Sequence, residues 1–96
     1  MVETTMGNKV LVVEDDPNLL ETLKYNLKKE SYDVVTAADG EQALEVARKE
    51  KPDLILLDIM MPGLHGFEVC RKIREQPQLA NTIIIFTSAK SYKPDI

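Results

Sequence analysis

Leu54-Ile55-Leu56-Leu57 runs without a break into Asp58, and Asp58 runs into a loop marked by Pro62, Gly63 and Gly66. Four large apolar residues in a row show neither helical nor alternating periodicity. Bounded by turn residues, they read as a short strand buried on both faces. Strands of this kind belong to parallel sheets covered by helices. A carboxylate at the end of one faces the crevice beyond the strand termini, where open α/β sheets keep their ligand sites. This stretch sets the terms for the chain: the remaining segments must supply neighbouring strands, crossover helices and partners for Asp58.

They do so in order. Lys9 to Val13 is a second unalternating run, rich in β-branched residues. Glu14, Asp15 and Asp16 follow at once, and Asp16-Pro17 has the form of a helix start, a carboxylate cap before a proline at the first helical position. Leu20, Leu23 and Leu27 recur at helical spacing, with Leu19 widening the stripe and Lys24, Lys28 and Lys29 towards the helix end. Asp33 to Ala38 reads as a third strand, whose lower apolar content suits a sheet edge. After an Asp39-Gly40 turn, Ala43, Leu44 and Ala47 mark a helix running to about Lys51, stopped by Pro52-Asp53. Another helix spans about Gly66 to Glu75, with Phe67, Cys70 and Ile73 spaced by threes, and Gln76-Pro77 ends it. Thr82 to Ser88 holds Ile83, Ile84, Ile85 and Phe86, a fourth strand of the fully buried kind. The β-α-β-α-β-α-β order predicts a parallel sheet with right-handed crossovers.

Composition narrows the function classes. Ninety-six residues make one domain, with 44% apolar and 29% charged residues, as in ordinary globular proteins. A net charge of −4 and only 5% aromatic residues argue against direct nucleic-acid binding and against attraction to anionic membranes. Cys70 is the single cysteine, which excludes a disulfide within one chain and suits a reducing cytoplasm. No apolar run reaches the ~20 residues of a membrane span. Residues 1–7 lack a signal-peptide pattern, so residues 1–8 are expected to be a flexible extension and residues 9–96 the folded domain.

Glu14 and Asp15 lie just past the first strand, and Asp58 closes the third. If those strands are adjacent, three carboxylates converge on one sheet edge, an arrangement that repels itself unless compensated. A hard divalent cation such as Mg²⁺ takes oxygen ligands and relieves the repulsion. It can also neutralise a phosphoryl group, for which a carboxylate can be the acceptor. Taken alone, Glu14 to Asp16 would equally be a helix-capping cluster.

Three strings in this chain resemble the receiver domain of bacterial two-component response regulators: VLVVEDDP, LILLDIMMPGLHG and the fourth strand ending in TSAK. The resemblance covers residues 9 to about 90. It implies a flavodoxin-like, doubly wound parallel sheet of strand order 2-1-3-4, with the family's fifth strand missing. By the same resemblance Asp58 is the phosphoacceptor, taking a phosphoryl group from a sensor histidine kinase or phosphotransfer protein. Asp15 is the main Mg²⁺ ligand, Glu14 acts mostly through a metal-bound water, and the main-chain carbonyl of Met60 is the third protein ligand. Ser88 is the hydroxyl that bonds a phosphoryl oxygen, with Thr87 as the alternative; Ala89 suits a small residue gating the site. Such a domain is not an enzyme in the ordinary sense, although it catalyses its own phosphorylation and dephosphorylation.

Other residues carry simpler expectations. His65 reads as a surface loop residue and Cys70 as core packing. Lys93-Pro94 follows Ser88 too closely for the lysine-proline pair of a fifth strand, and Lys93 is expected to begin a helical region. Lacking that strand, the chain is expected to be incomplete at its C-terminus and to expose the fourth strand for homodimerisation. The competing reading is a truncated or pseudo-receiver, or a swapped dimer, acting by protein contact without productive phosphorylation. An aspartyl-phosphate phosphatase would want a second acid two residues past Asp58, where Met60 stands.

Overall fold

A computed structural model describes residues 8–59 and 66–87. The strands are β1 (Lys9–Val13), β2 (Asp33–Ala37), β3 (Leu54–Asp58) and β4 (Ile83–Thr87). The helices are α1 (Pro17–Lys29), α2 (Gly40–Glu50) and α3 (Gly66–Arg74), and a short 3-10 turn spans Pro77–Leu79. All pairings are parallel and the strand order is β2-β1-β3-β4. Both the alternation and the order match the expected flavodoxin-like sheet. The low apolar content of β2 does mark an edge.

Helices cover both faces unequally. On one, Leu11, Val13, Ile55 and Leu57 pack with Ala43 and Ala47 of α2, Val69 and Ile73 of α3, and Leu79. On the other, Val10, Val12 and Val34 meet Leu20, Leu23 and Leu27 of α1, alongside Leu54 and Leu56. Among the described residues one helix lies on one face and two on the other, which fits the burial of Ile55 and Leu57 and the half-burial of Leu54 and Leu56. The two-faced burial expected of β3 therefore holds fully on the α2/α3 side alone.

Two expectations need correcting. β4 is not of the fully buried kind that its apolar run suggests, but has the exposure expected of an outer strand: Ile83, Ile85 and Phe86 are 60%, 47% and 38% exposed, with no strand at its outer edge among the described residues. Helix α3 does not turn Phe67 inward. Its buried residues are Gly66, Val69 and Ile73, with Cys70 half-buried against the same core, and Phe67 instead packs edge-on against Phe86 with ring centroids 4.9 Å apart. Helix α3 does end before Gln76-Pro77 as expected, and Arg74 Nη1 donates to the carbonyls of Ala80 (3.1 Å) and Thr82 (2.6 Å), tying the 3-10 turn to the start of β4. The expectations for residues 1–7, Met60, His65, Ser88 and Lys93 lie outside the described residues.

At the N-terminal end of the sheet, Lys9 Nζ donates to Glu50 Oε1 at 2.7 Å and lies 4.0 Å from Asp33. The contact with Glu50, more than its charge at a distance, raises the lysine pKa and lowers that of the glutamate. It fastens the last turn of α2 to the first residue of β1.

Candidate phosphoacceptor site

The site grows out of two strand ends. In the β1–β3 ladder Val13 stands beside Leu57, so the next residue of each chain segment, Glu14 and Asp58, emerges at the same level of the sheet. The N–H of Glu14 still donates to the Ala37 carbonyl (3.0 Å), carrying the β1–β2 ladder one step past the strand. Glu14 and Asp58 are each 1% exposed, and Asp15 is half-buried.

One carboxylate oxygen from each of Glu14, Asp15 and Asp58 lies within 4.8 Å of the others. The sequence-predicted acids are thus brought together. Their neighbour Asp16 is not part of the group. Its side chain accepts from the N–H groups of Asn18 (3.0 Å) and Leu19 (3.5 Å) and caps α1, while its own N–H donates to Glu14 Oε2 (2.9 Å). Cap and carboxylate cluster are therefore built by different members of the same acidic run. Asp16 fulfils the capping reading, and Glu14 and Asp15 join Asp58 as the converging carboxylates.

Three acidic side chains with converging oxygens, two of them shut away from water, make a donor set that suits a hard, oxygen-seeking divalent cation. Soft nitrogen or sulfur ligands are not part of it. The charges fit as well, since a dication offsets the mutual repulsion of the carboxylates.

Two further elements frame Asp58. Asp58 pairs with Thr87 in the β3–β4 register, and the Ile59 N–H donates to the Thr87 carbonyl at 3.2 Å. Thr87 is accordingly the described hydroxyl residue across from the acid. Gly66 opens α3 directly over this backbone: a Cβ there would stand 2.7 Å from Ile59 Cα and 2.9 Å from the Asp58 carbonyl oxygen. No side chain fits that gap. The sequence marks Gly66 only as a loop glycine and the start of a helix, because a close approach between helix and strand leaves no local signature; its place shortly after the strand-end acid was the available clue.

The whole stretch from residue 10 to residue 96 matches the family model of the response regulator receiver domain. Over 83 residues the chain is 49% identical to the alkaline phosphatase synthesis transcriptional regulatory protein PhoP of Bacillus subtilis (strain 168). That alignment covers 86% of this chain but 34% of PhoP, so the chain spans about a third of its curated relative. Among solved structures, the response regulator TrrA of Thermotoga maritima, in complex with Mg²⁺-BeF, is 41% identical with a TM-score of 0.79, covering 85% of this chain and 70% of that one. The receiver domain of a sensor histidine kinase from Pseudomonas aeruginosa PAO1, with a magnesium ion coordinated in its active-site cleft, is 34% identical with a TM-score of 0.82. It covers 88% of this chain and 70% of its own. Strand order, carboxylate cluster and these matches agree: this chain belongs to the response regulator receiver domain family.

Proposed function

We propose that the chain accepts a phosphoryl group on Asp58 from the phosphohistidine of a sensor kinase or phosphotransfer protein, as a relay step of two-component signalling. The observation that carries this reading is the convergence of Glu14, Asp15 and Asp58 at the carboxyl ends of adjacent parallel strands. A carboxylate oxygen of Asp58 forms the new P–O bond while the P–N bond of the donor histidine breaks, and the imidazole leaves with the electron pair. Asp15 would hold Mg²⁺ directly and Glu14 mostly through water, with the Met60 carbonyl completing the protein ligands. Bound there, the ion supplies positive charge against the phosphoryl oxygens. Burial of Glu14 and Asp58 keeps competing water away from the reacting oxygen. Ser88 is the hydroxyl assigned to bond a phosphoryl oxygen after transfer, with Thr87 as the alternative; the pairing of Asp58 with Thr87 supports a hydroxyl from this strand end.

The domain acts as a signalling module and not as a turnover enzyme, in a cytoplasmic setting. No described helix is long and apolar enough to cross a membrane. Separately from phosphorylation, the apolar exposed β4 supports association of two copies through that strand.

The test is intact mass after incubation with acetyl phosphate, alongside beryllofluoride binding. One phosphoryl group should be added only when Mg²⁺ is present, and none to Asp58→Asn. No addition to the unmodified chain, or an addition that survives Asp58→Asn, overturns the assignment.

A further inference from the structure

Parallel strands joined by a crossover helix take their register from side chains, since no tight turn sets it. In β4 that information is thin. Ile83, Ile84 and Ile85 are identical, and Ile84 is the one packed against the core that α2 and α3 cover. Slid one place either way, the strand would offer another isoleucine to the same position. Its functional end is less forgiving. In the observed register Asp58 stands beside Thr87, and the Ile59 N–H donates to the Thr87 carbonyl at 3.2 Å. A slip of one place would set Phe86 or Ser88 there instead, and would move the strand-end hydroxyls about 3.3 Å along the sheet.

An anchor outside the strand removes that ambiguity. Arg74, the last residue of α3, reaches the connection to β4. Its Nη1 donates to the carbonyls of Thr82 (2.6 Å) and Ala80 (3.1 Å), with a longer contact to that of Leu79 (3.5 Å). One nitrogen meets carbonyls spread over four residues only when the turn holds one shape. Ile83 then enters the ladder at once, its N–H donating to the Asp53 carbonyl (3.1 Å). Buried Thr82 fastens the same point sideways, its Oγ1 donating to the Pro52 carbonyl at 3.2 Å. The other end of α3 is fixed at the site, where Gly66 lies against the main chain of Asp58 and Ile59. A single nine-residue helix thus links the backbone of the acid to the base of the strand that carries the hydroxyl.

We propose that Arg74 is a positioning residue: by gripping the turn before β4 it fixes the register of that strand on β3, and so sets the strand-end hydroxyl against Asp58. The functional half of this rests on the phosphoacceptor reading; the register half does not. Arginine suits the task because a guanidinium is planar and holds its donors in fixed directions, whereas the lysine ammonium is a point charge on a mobile stem. The carboxylates of Glu14, Asp15 and Asp58 follow β1 and close β3, strands that Arg74 does not grip. Arg74 therefore governs the phosphoryl side of the site and leaves the metal side alone.

The experiment replaces Arg74 with methionine, which keeps an unbranched stem and removes the donors, and follows cross-strand nuclear Overhauser contacts in the isotopically labelled 96-residue chain. The parent should show Asp58 beside Thr87. Arg74→Met should lose that contact or exchange it for one with a neighbour of Thr87, while Val13 stays beside Leu57. Arg74→Lys should fall between the two. Calorimetry gives the second readout: Mg²⁺ alone should bind within about twofold of the parent, and beryllofluoride at least about tenfold more weakly, the worth of a displaced hydrogen bond to a charged group. An Asp58–Thr87 contact absent from the parent, or unchanged in Arg74→Met, overturns the register role. Loss of the Val13–Leu57 contact as well, or equal weakening of Mg²⁺ and beryllofluoride, also overturns it, because Arg74 would then support the sheet as a whole. A shifted register with undiminished beryllofluoride binding overturns the positioning of the hydroxyl. If circular dichroism shows Arg74→Met unfolded, Arg74→Lys carries the same comparisons. A parent that binds no beryllofluoride fails the phosphoacceptor reading instead, and the strand contacts still decide the register.

Discussion

Adding a single methyl group at Gly66 would set it 2.7 Å from Ile59 Cα, inside any real carbon–carbon contact. Helix α3 must then shift, because the obstacle is main chain and cannot rotate away. Gly66→Ala should destabilise the fold by about 1–3 kcal/mol in urea denaturation, the usual cost of overpacking. It should also weaken Mg²⁺-dependent beryllofluoride binding, because the backbone it displaces carries Asp58. Asp16→Ala should cost about 1 kcal/mol by removing the α1 cap, yet leave beryllofluoride binding in place, since Asp16 stands outside the carboxylate cluster. The contrast explains what could be read at this scale. Acids at strand ends announce themselves through the apolar runs before them, whereas the need for glycine at position 66 exists only once helix and strand have met.

At the scale of elements, helix and strand positions followed from apolar spacing, but the faces of α3 did not. Phe67, Cys70 and Ile73 and the alternative set Gly66, Val69 and Ile73 both have helical spacing, and the close seating of Gly66 selects the second. The apolar run of β4 reads by itself as fully buried, because four consecutive apolar residues say nothing of whether a neighbouring strand is present. The expectation of an exposed strand came instead from comparing the chain with the family pattern. The start of α2 held a readable signal that the turn assignment passed over. Asp39 Oδ1 accepts from the Gln42 N–H (2.8 Å) and Gln42 Oε1 from the Ala38 N–H (2.6 Å), a variant of the capping box. Its other end is less well suited: Lys51 closes α2 with φ at 49°, where a side chain is crowded. Lys51→Gly relieves a left-handed cost of about 1 kcal/mol, partly offset by glycine's greater unfolded freedom. The expected net is a small rise in urea midpoint. The Lys9–Glu50 contact gives a pH signature. Stability from the lowered glutamate pKa is present above the ordinary carboxylate range and lost as pH falls through the folded value. Stability from the raised lysine pKa is present below the ordinary lysine value and lost as pH rises through the folded one. Urea midpoints of the parent and Glu50→Gln should therefore differ modestly near neutrality and converge towards acid.

For the whole molecule, the parallel α/β architecture was legible because each apolar run is separated from the next by one amphipathic helix. The strand order came from family resemblance, since periodicity alone does not say which strands adjoin. That order has a consequence for how the domain assembles. β1 is the first strand in the chain, but it lies between β2 and β3, and the carboxylates meet only when the distant β1–β3 pairing is made. Pairings across a long intervening loop carry a large closure entropy and tend to form late on the way to the native state. A cation held by Glu14, Asp15 and Asp58 would then recognise the completed sheet and little before it. Stopped-flow refolding should show Mg²⁺ slowing the unfolding limb while leaving the folding limb nearly unchanged, as for any interaction absent from the transition state. An ion held there would thereby also act as a kinetic latch on the fold.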